Sequence, residues 1–358
     1  MKLHLLPLIA GLALTAFAAA GESHVHWLET RHSFGTIAEE DGLATCTFRL
    51  VNDGPEPAAI VAARATCGCT RPKYPTASIA PGDTAVLEVS YDPKARPGRF
   101  EKSITVETSA TPRKTRLEIS GIVVATPETV ALRYPVDFGS LRLAHGTLML
   151  GEVTKGQIKT VYADAYNAGS DSLRVTVASK PRWADVIPSP EAVSPGEQIT
   201  LVTYVNSGRC DFYGMMQDTL VLATDEGQFT VPVTITVNED FSALDADKMQ
   251  NAPMSYTDSD FVDLGDISRS GGPVSGSFTL GNVGHDRLEI RRIYSYDDGI
   301  TVVQPKDSSI KKGKKTTVGV TVDPAQIPAG IINATVTVVT NDPMQPTRII
   351  RIVGRIME

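Results

Sequence analysis

The chain has 358 residues, enough for two or three domains of ordinary size, each with its own core. Hydrophobic residues make up 42% and charged residues 21%, and 29 Gly with 23 Pro suit a soluble globular chain with many turns between short strands and no long helix. A formal net charge of −7 repels a phosphate backbone and argues against nucleic acid as a partner.

In chain order, residues 1–20 read as an export signal. Lys2 supplies a short basic start, residues 3–19 are almost wholly apolar, and Ala18-Ala19-Ala20 fits the small-x-small pattern before a cleavage point between Ala20 and Gly21. The apolar run is short, contains Pro7 and Gly11, and ends in small rather than basic residues, so cleavage is expected rather than retention as an anchor. No Cys lies near the cut, where a lipid-anchored protein needs one. The mature chain is expected in the periplasm or outside the cell. Beyond the signal, no apolar stretch approaches the roughly 20 residues of a spanning helix.

A phrase then recurs three times. It comprises an aromatic or aliphatic residue before Gly, a strand, Asn-x-Gly, a later Gly turn, and a strand ending near Asp-Pro. The first copy has Phe34-Gly35, Asn52-Asp53-Gly54, Pro81-Gly82-Asp83 and Asp92-Pro93. The second has Phe138-Gly139, Asn167-Ala168-Gly169 and Pro195-Gly196-Glu197, with Asn206-Ser207 in place of Asp-Pro. The third has Leu264-Gly265, Asn282-Val283-Gly284, Lys312-Gly313-Lys314 and Asp323-Pro324. The three Asn residues are spaced 115 and again 115 positions apart, a register that identifies true repeats.

Between these marks the chain alternates with period two. Ala85, Leu87, Val89 and Tyr91 share one face of a strand, as do Leu173, Val175 and Val177 in the second copy and Val318, Val320 and Val322 in the third. About seven such runs per copy predict an all-β chain of three tandem immunoglobulin-like β-sandwiches after the signal peptide. The expected boundaries are 21–125, 126–240 and 256–358, with a linker at 241–255. The only helix-like stretch is Phe241 to Gln250, in that linker.

Phe34-Gly35, the strand and turn from Phe48 to Gly54, Thr66-Cys67-Gly68-Cys69-Thr70, Pro81-Gly82 and Tyr91-Asp92-Pro93 resemble a bacterial family of unknown function, number 1573, typified by an FG…N-x-G…CGCT…PG pattern. The resemblance is specific over residues 32–123, and the other two copies match only the scaffold. It implies an exported Ig-like module, akin to the sperm-protein, ASH and pilus-chaperone sandwiches, and brings no activity with it.

Four Cys are present: Cys46, Cys67, Cys69 and Cys210. Cys46 is in phase with Phe48 and Leu50 and reads as a small core side chain. Fifteen residues past each repeat Asn stand Cys67, Arg182 and Asp297, so the scaffold forms without the thiol pair. Two residues apart on a strand, at about 3.3 Å rise each, Cys67 and Cys69 sit near the upper Cα limit for a disulfide, and Gly68 can tighten the turn. In an oxidising compartment the expectation is a disulfide of Cys67 or Cys69, with each other or with Cys46. Free thiols and a Cu(I) site are the alternatives, but Cys-x-Cys alone is not a complete metal site. His24 and His26 read as a frayed polar terminus. No metal, cofactor or catalytic residue is assigned.

Neither a Gly-x-Ser-x-Gly elbow, a phosphate loop nor His-Glu-x-x-His occurs. The acidic pairs Asp225-Glu226, Glu239-Asp240 and Asp297-Asp298 read as solvated turn charge, and Lys311, Lys312, Lys314 and Lys315 as a solvated hairpin. The expected function is non-enzymatic, an envelope module binding an envelope protein or a surface polymer. The alternative is a periplasmic thiol-redox or copper-handling protein acting through Cys67 and Cys69. A hydrolase is third, for want of an acid and a base.

Overall fold

The structure is a computed structural model that describes residues 23–358. The signal-peptide reading of residues 1–20, with its cut between Ala20 and Gly21, lies outside the described residues. The chain is all-β, with immunoglobulin-like sheets and, among the described residues, two short α-helices, and it divides into two compact units.

The first unit is built on eight strands: β1 (Val25–Trp27), β2 (Arg31–Ala38), β3 (Ala44–Asn52), β4 (Ile60–Ala65), β5 (Thr70–Lys73), β6 (Thr84–Tyr91), β7 (Gly98–Thr108) and β8 (Lys114–Val124). They form two four-stranded sheets, ordered β1-β3-β6-β5 and β2-β8-β7-β4. The alternation along β6 does what its pattern predicts: Ala85, Leu87, Val89 and Tyr91 are all buried, in one cluster with Phe48, Leu50, Ile104, Leu117 and Ile119. Burying that many large apolar side chains, at about 25 cal/mol per Å² removed from water, is the main source of the unit's stability.

The repeated Asn-x-Gly has a specific physical cause. Asn52 is wholly buried, and its amide is completely used. Its Nδ2 donates to the carbonyls of Glu56 and Ile79, both at 2.9 Å, and its Oδ1 accepts from Gly54 N at 3.1 Å. Its backbone N–H donates to Asp83 O at 3.0 Å, and its carbonyl accepts from Gly82 N at 2.7 Å. One side chain thus ties the β3–β4 and β5–β6 loops to the end of β3. Gly is required two residues on because a Cβ on Gly54 would stand 2.4 Å from His24 N, where β1 begins. Asn282 repeats the arrangement with Asp286 O, Ile310 O and Gly284 N, and Asn167 with Asp171 O and Gly169 N.

The Gly after an aromatic or aliphatic residue has its own role. In β2 the pairing with β8 is parallel and slips between Ser33 and Thr36, with Gly35 at φ +66° taking the bulge. Gly265 does the same at φ +63°. The second repeat departs from the expected landmark. Its bulge falls between Met149 and Glu152 at Gly151, φ +68°, so the equivalent of Phe34-Gly35 is Leu150-Gly151. Phe138-Gly139 instead leads into a tight turn between the short strands Val136–Phe138 and Leu141–Leu143.

A helix also stands where none was expected, α1 at Pro127–Arg133. Thr126 caps it by accepting from Thr129 N at 3.2 Å, and Pro127 occupies the first turn, where its missing N–H costs nothing. Its start is held by Glu39, a buried carboxylate that accepts from Ala95 N (2.7 Å), Thr126 N (3.0 Å) and Thr129 Oγ1 (2.8 Å). Burial pushes the Glu39 pKa up, but these bonds and the Arg133 charge outweigh it and hold the carboxyl below its ordinary range.

The second unit carries two further apolar clusters. One includes Leu141, Leu150, Ile199, Leu201, Leu220 and Val237, and the other Phe278, Leu280, Val318, Val320, Val336 and Ile350. Residues 241–255 lie inside this unit and include the short helix Ala246–Asn251, capped by Asp245. On either side of that stretch the two repeats are clasped. Arg291 makes a two-pronged bond to Glu239 at 2.9 and 2.6 Å, and Tyr294 Oη accepts from Met215 N at 2.8 Å.

Candidate thiol site at the sheet crossover

β4 is the terminal strand of one sheet of the first unit and β5 the terminal strand of the other. Cys67, Gly68 and Cys69 form the crossover between these two edges. The backbone around them is tied at three points: Thr66 N donates to Ser103 O at 3.1 Å, Thr70 N to Cys67 O at 3.3 Å, and Asp92 N to Cys69 O at 2.9 Å. The turn brings the two Cα atoms to 5.3 Å, and Cys67 and Cys69 form a disulfide. This is well inside the range for a disulfide, because the chain turns at Gly68 rather than running on as an extended strand.

The two sulfurs differ in environment. Cys69 is buried in the core of the unit, whereas Cys67 is half-buried against its edge and Gly68 is exposed. The Thr70 hydroxyl, itself buried, lies 3.5 Å from Cys67 Sγ and 3.8 Å from Cys69 Sγ and can donate to either. A Cβ on Gly68 would meet nothing within 4 Å, so the tip of the turn is open.

Cys46 takes no part in the bridge. It is a buried free thiol on β3, opposite Val89. Burial, with the charge of Glu29 adding to it, pushes its pKa up to about 11, so it stays protonated at neutral pH and is a poor nucleophile. Cys210 is likewise a buried free thiol whose pKa burial raises.

His24 and His26 are not a frayed end. His24 bridges to Thr111, His26 lies in β1, and each directs Nδ1 to one oxygen of Asp53, at 2.7 and 2.9 Å. Among the described residues, no group of three or more His, Cys, Asp or Glu is placed to hold a metal ion.

The acidic pairs also do more than meet solvent. Glu226 accepts from Ser140 N at 2.8 Å, Glu239 takes the Arg291 clasp, and Asp297 accepts from Thr335 N at 2.6 Å. Their sequence signal was a turn charge, and only the distant donor reveals the bond.

Sheets of this order and pairing, with a buried Asn closing one strand in each repeat, define an Ig-like β-sandwich protein. The chain belongs to a family described as protein of unknown function (DUF1573), which matches residues 25–123 and 256–356, more than half of its length. Membership therefore extends to the third repeat, which lacks the Cys pair, as well as to the first. A protein of unknown function from Porphyromonas gingivalis W83, known from a crystal structure, is 24% identical with a TM-score of 0.51, over 61% of this chain and 100% of that one. An ASH/PapD-like domain of human CEP192 is 13% identical with a TM-score of 0.24, over 35% of this chain and 97% of that one. No curated protein matches the chain. Among the described residues no helix is long and apolar enough to cross a membrane.

Proposed function

We propose that the protein is a non-enzymatic component of the bacterial cell envelope, exported by residues 1–20 and cut between Ala20 and Gly21. In the periplasm or outside the cell, its Ig-like repeats bind an envelope protein or a surface polymer. The observation that carries this reading is the set of open sheet edges. β4, β5 and the strands Ala184–Ser189 and Ile300–Val303 are each terminal in their sheets. Three of these edge strands present an apolar side chain to solvent: Val61 is 60% exposed, Ile187 53% and Val303 53%. Terminal strands with free backbone groups accept an added strand, and apolar side chains beside them supply contact area.

The test is recovery of envelope material by the immobilised mature chain. Lys at Val61, Ile187 and Val303 blocks an edge without disturbing a core, and the triple variant is expected to lose at least about tenfold of the recovered partner. Undiminished recovery contradicts the reading.

The disulfide favours a second reading, a periplasmic thiol-redox or copper-handling protein. A half-buried Cys67 beside an open Gly68 gives a thiol reagent a route to the bond. Replacing Cys67 and Cys69 by Ser separates the two: an interaction module keeps its partner, and a thiol protein loses its function.

A further inference from the structure

The hairpin Lys311–Lys314 sits at the same place as two acidic turns in the other repeats. Asn52 N donates to Asp83 O, Asn167 N to Glu197 O and Asn282 N to Lys314 O, all at 3.0 Å, so Asp83, Glu197 and Lys314 are structural equivalents. Flanking them, Ala80 and Ser194 correspond to Lys311, and Thr84 and Gln198 to Lys315. The turn therefore needs none of these cations to form, and the third repeat reverses the charge of the other two.

The lysines also gather. Arg287, Lys306, Lys311, Lys314 and Lys315 line one depression of about 540 Å³, together with Asp307 and the hydroxyl-bearing Ser308, Ser309 and Thr316. All five cations are exposed, and among the described residues none forms an ion pair. Elsewhere exposed cations of this chain do pair with carboxylates, as Arg99 does with Glu197 and Arg174 with Glu191. Five cations without an ion pair stand against the lining carboxylate Asp307 and, behind Ser309, Glu289, and in a protein of net charge −7 they concentrate a positive potential in one concave site.

We propose that this depression binds an anionic sugar chain, with the five cations meeting its carboxylate or sulfate groups and the hydroxyls of Ser308 and Thr316 meeting its ring hydroxyls; the Ser309 hydroxyl is held between Glu289 and Arg287. The inference rests on the reading of the protein as an envelope-binding module and names the surface polymer by its chemistry. A concave site rather than a flat one suits a sugar unit held on several sides. A bilayer would instead call for exposed apolar side chains beside the cations, and the only aliphatic side chain in the lining, Ile310, is buried.

The experiment titrates the full mature chain with sulfated heparin-derived oligosaccharides, carboxylated oligogalacturonate and neutral dextran, with phosphatidylglycerol vesicles as a fourth arm. Binding to at least one anionic oligosaccharide and none to dextran is expected, weakening at least tenfold between 50 and 500 mM NaCl as the charges are screened. The variant carrying the first repeat's residues, Lys311→Ala, Lys314→Asp and Lys315→Thr, should bind at least tenfold more weakly with unchanged circular dichroism. A second variant, Lys311→Arg and Lys314→Arg, should keep its affinity. Equal binding by the charge-reversed variant, binding to vesicles but not to oligosaccharides, or no binding to either oligosaccharide overturns the inference. Recovery of native envelope material by the same charge-reversed variant separates that failure from failure of the broader reading.

Discussion

The crossover at Cys67 to Cys69 and its counterpart at Asp297 to Gly299 occupy the same place in two repeats and are built from unrelated side chains. In the first, Asp92 N donates to Cys69 O at 2.9 Å, and in the third, Asp323 N donates to Gly299 O at 2.8 Å. The backbone path is thus kept. In the first repeat a disulfide spans the turn, whereas in the third Asp297 reaches across to Thr335 N and Oγ1. Scaffold and local chemistry are therefore separable. Backbone bonds and the buried Asn carry the fold, and the residues at the turn are free to vary.

That comparison breaks most directly at the Asn. Asn52→Ala removes the partner of Gly54 N, Glu56 O and Ile79 O at once and leaves Gly54 N and Ile79 O unsatisfied where their bonds are buried. At about 1–3 kcal/mol per buried group left unsatisfied, a loss of about 3 kcal/mol or more is expected, and Asn282→Ala should cost the same in its own repeat. Urea unfolding read by hydrogen exchange in peptides of each repeat measures both. A loss below about 1 kcal/mol would remove the Asn from its central place.

Two Gly residues sharpen it. Gly54→Ala forces a Cβ to within 2.4 Å of His24 N, a backbone atom that cannot move without unseating β1. Overpacking of this kind costs about 1–3 kcal/mol, and faster exchange of the Val25 amide, which is bonded to Thr111 O, should accompany it. Gly68→Ala meets nothing within 4 Å and should stay within about 0.5 kcal/mol of the parent. The opposite order would contradict the account of both turns.

Glu39 adds a pH dependence. Its folded pKa is depressed, despite burial, by the bonds from Ala95, Thr126 and Thr129, so its contribution is present above the unfolded value near 4.5 and is lost as pH falls through the folded one. Glu39→Gln should cost roughly 1 kcal/mol at pH 7, and the difference between parent and variant should shrink below about pH 4.5. Unfolding midpoints of the first unit at pH 7, 5 and 3.5 test this, and a gap that widens on acidification would reverse the assignment.

Much of the fold was legible because it is periodic. The 115-residue spacing of Asn52, Asn167 and Asn282 marked the repeats, and alternation placed the buried face of β6. The reason for the Asn was not legible, because its partners Glu56, Ile79 and Asp83 are ordinary residues whose carbonyls matter, not their side chains. Phe138-Gly139 matched the expected wording, but lies 28 positions before Asn167, whereas Gly35 and Gly265 each precede their Asn by 17 and Gly151 by 16. Spacing was the better guide than residue type. Helix α1 was missed because seven residues carry too few turns for a period, although Thr126-Pro127 is a usable start signal. At the thiol site the sequence left three bridges open, and the choice depends on how tightly the chain turns at Gly68, which brings the Cα atoms of Cys67 and Cys69 to 5.3 Å. The charge reversal at Lys314 was visible in the aligned repeats, but its gathering with Arg287 and Lys306 required the fold.

The most direct test of that separability predicts a small effect. Cys67→Ser with Cys69→Ser removes the disulfide from the first repeat, and because the bridge closes a very small loop, the chain-entropy model assigns it little stabilisation. Urea unfolding of the chain, followed by hydrogen exchange in β3 to β6, should show a loss below about 1 kcal/mol, with the second unit unchanged. A loss near 3 kcal/mol would mean that the disulfide holds the sandwich together and that scaffold and chemistry are not separable at this turn.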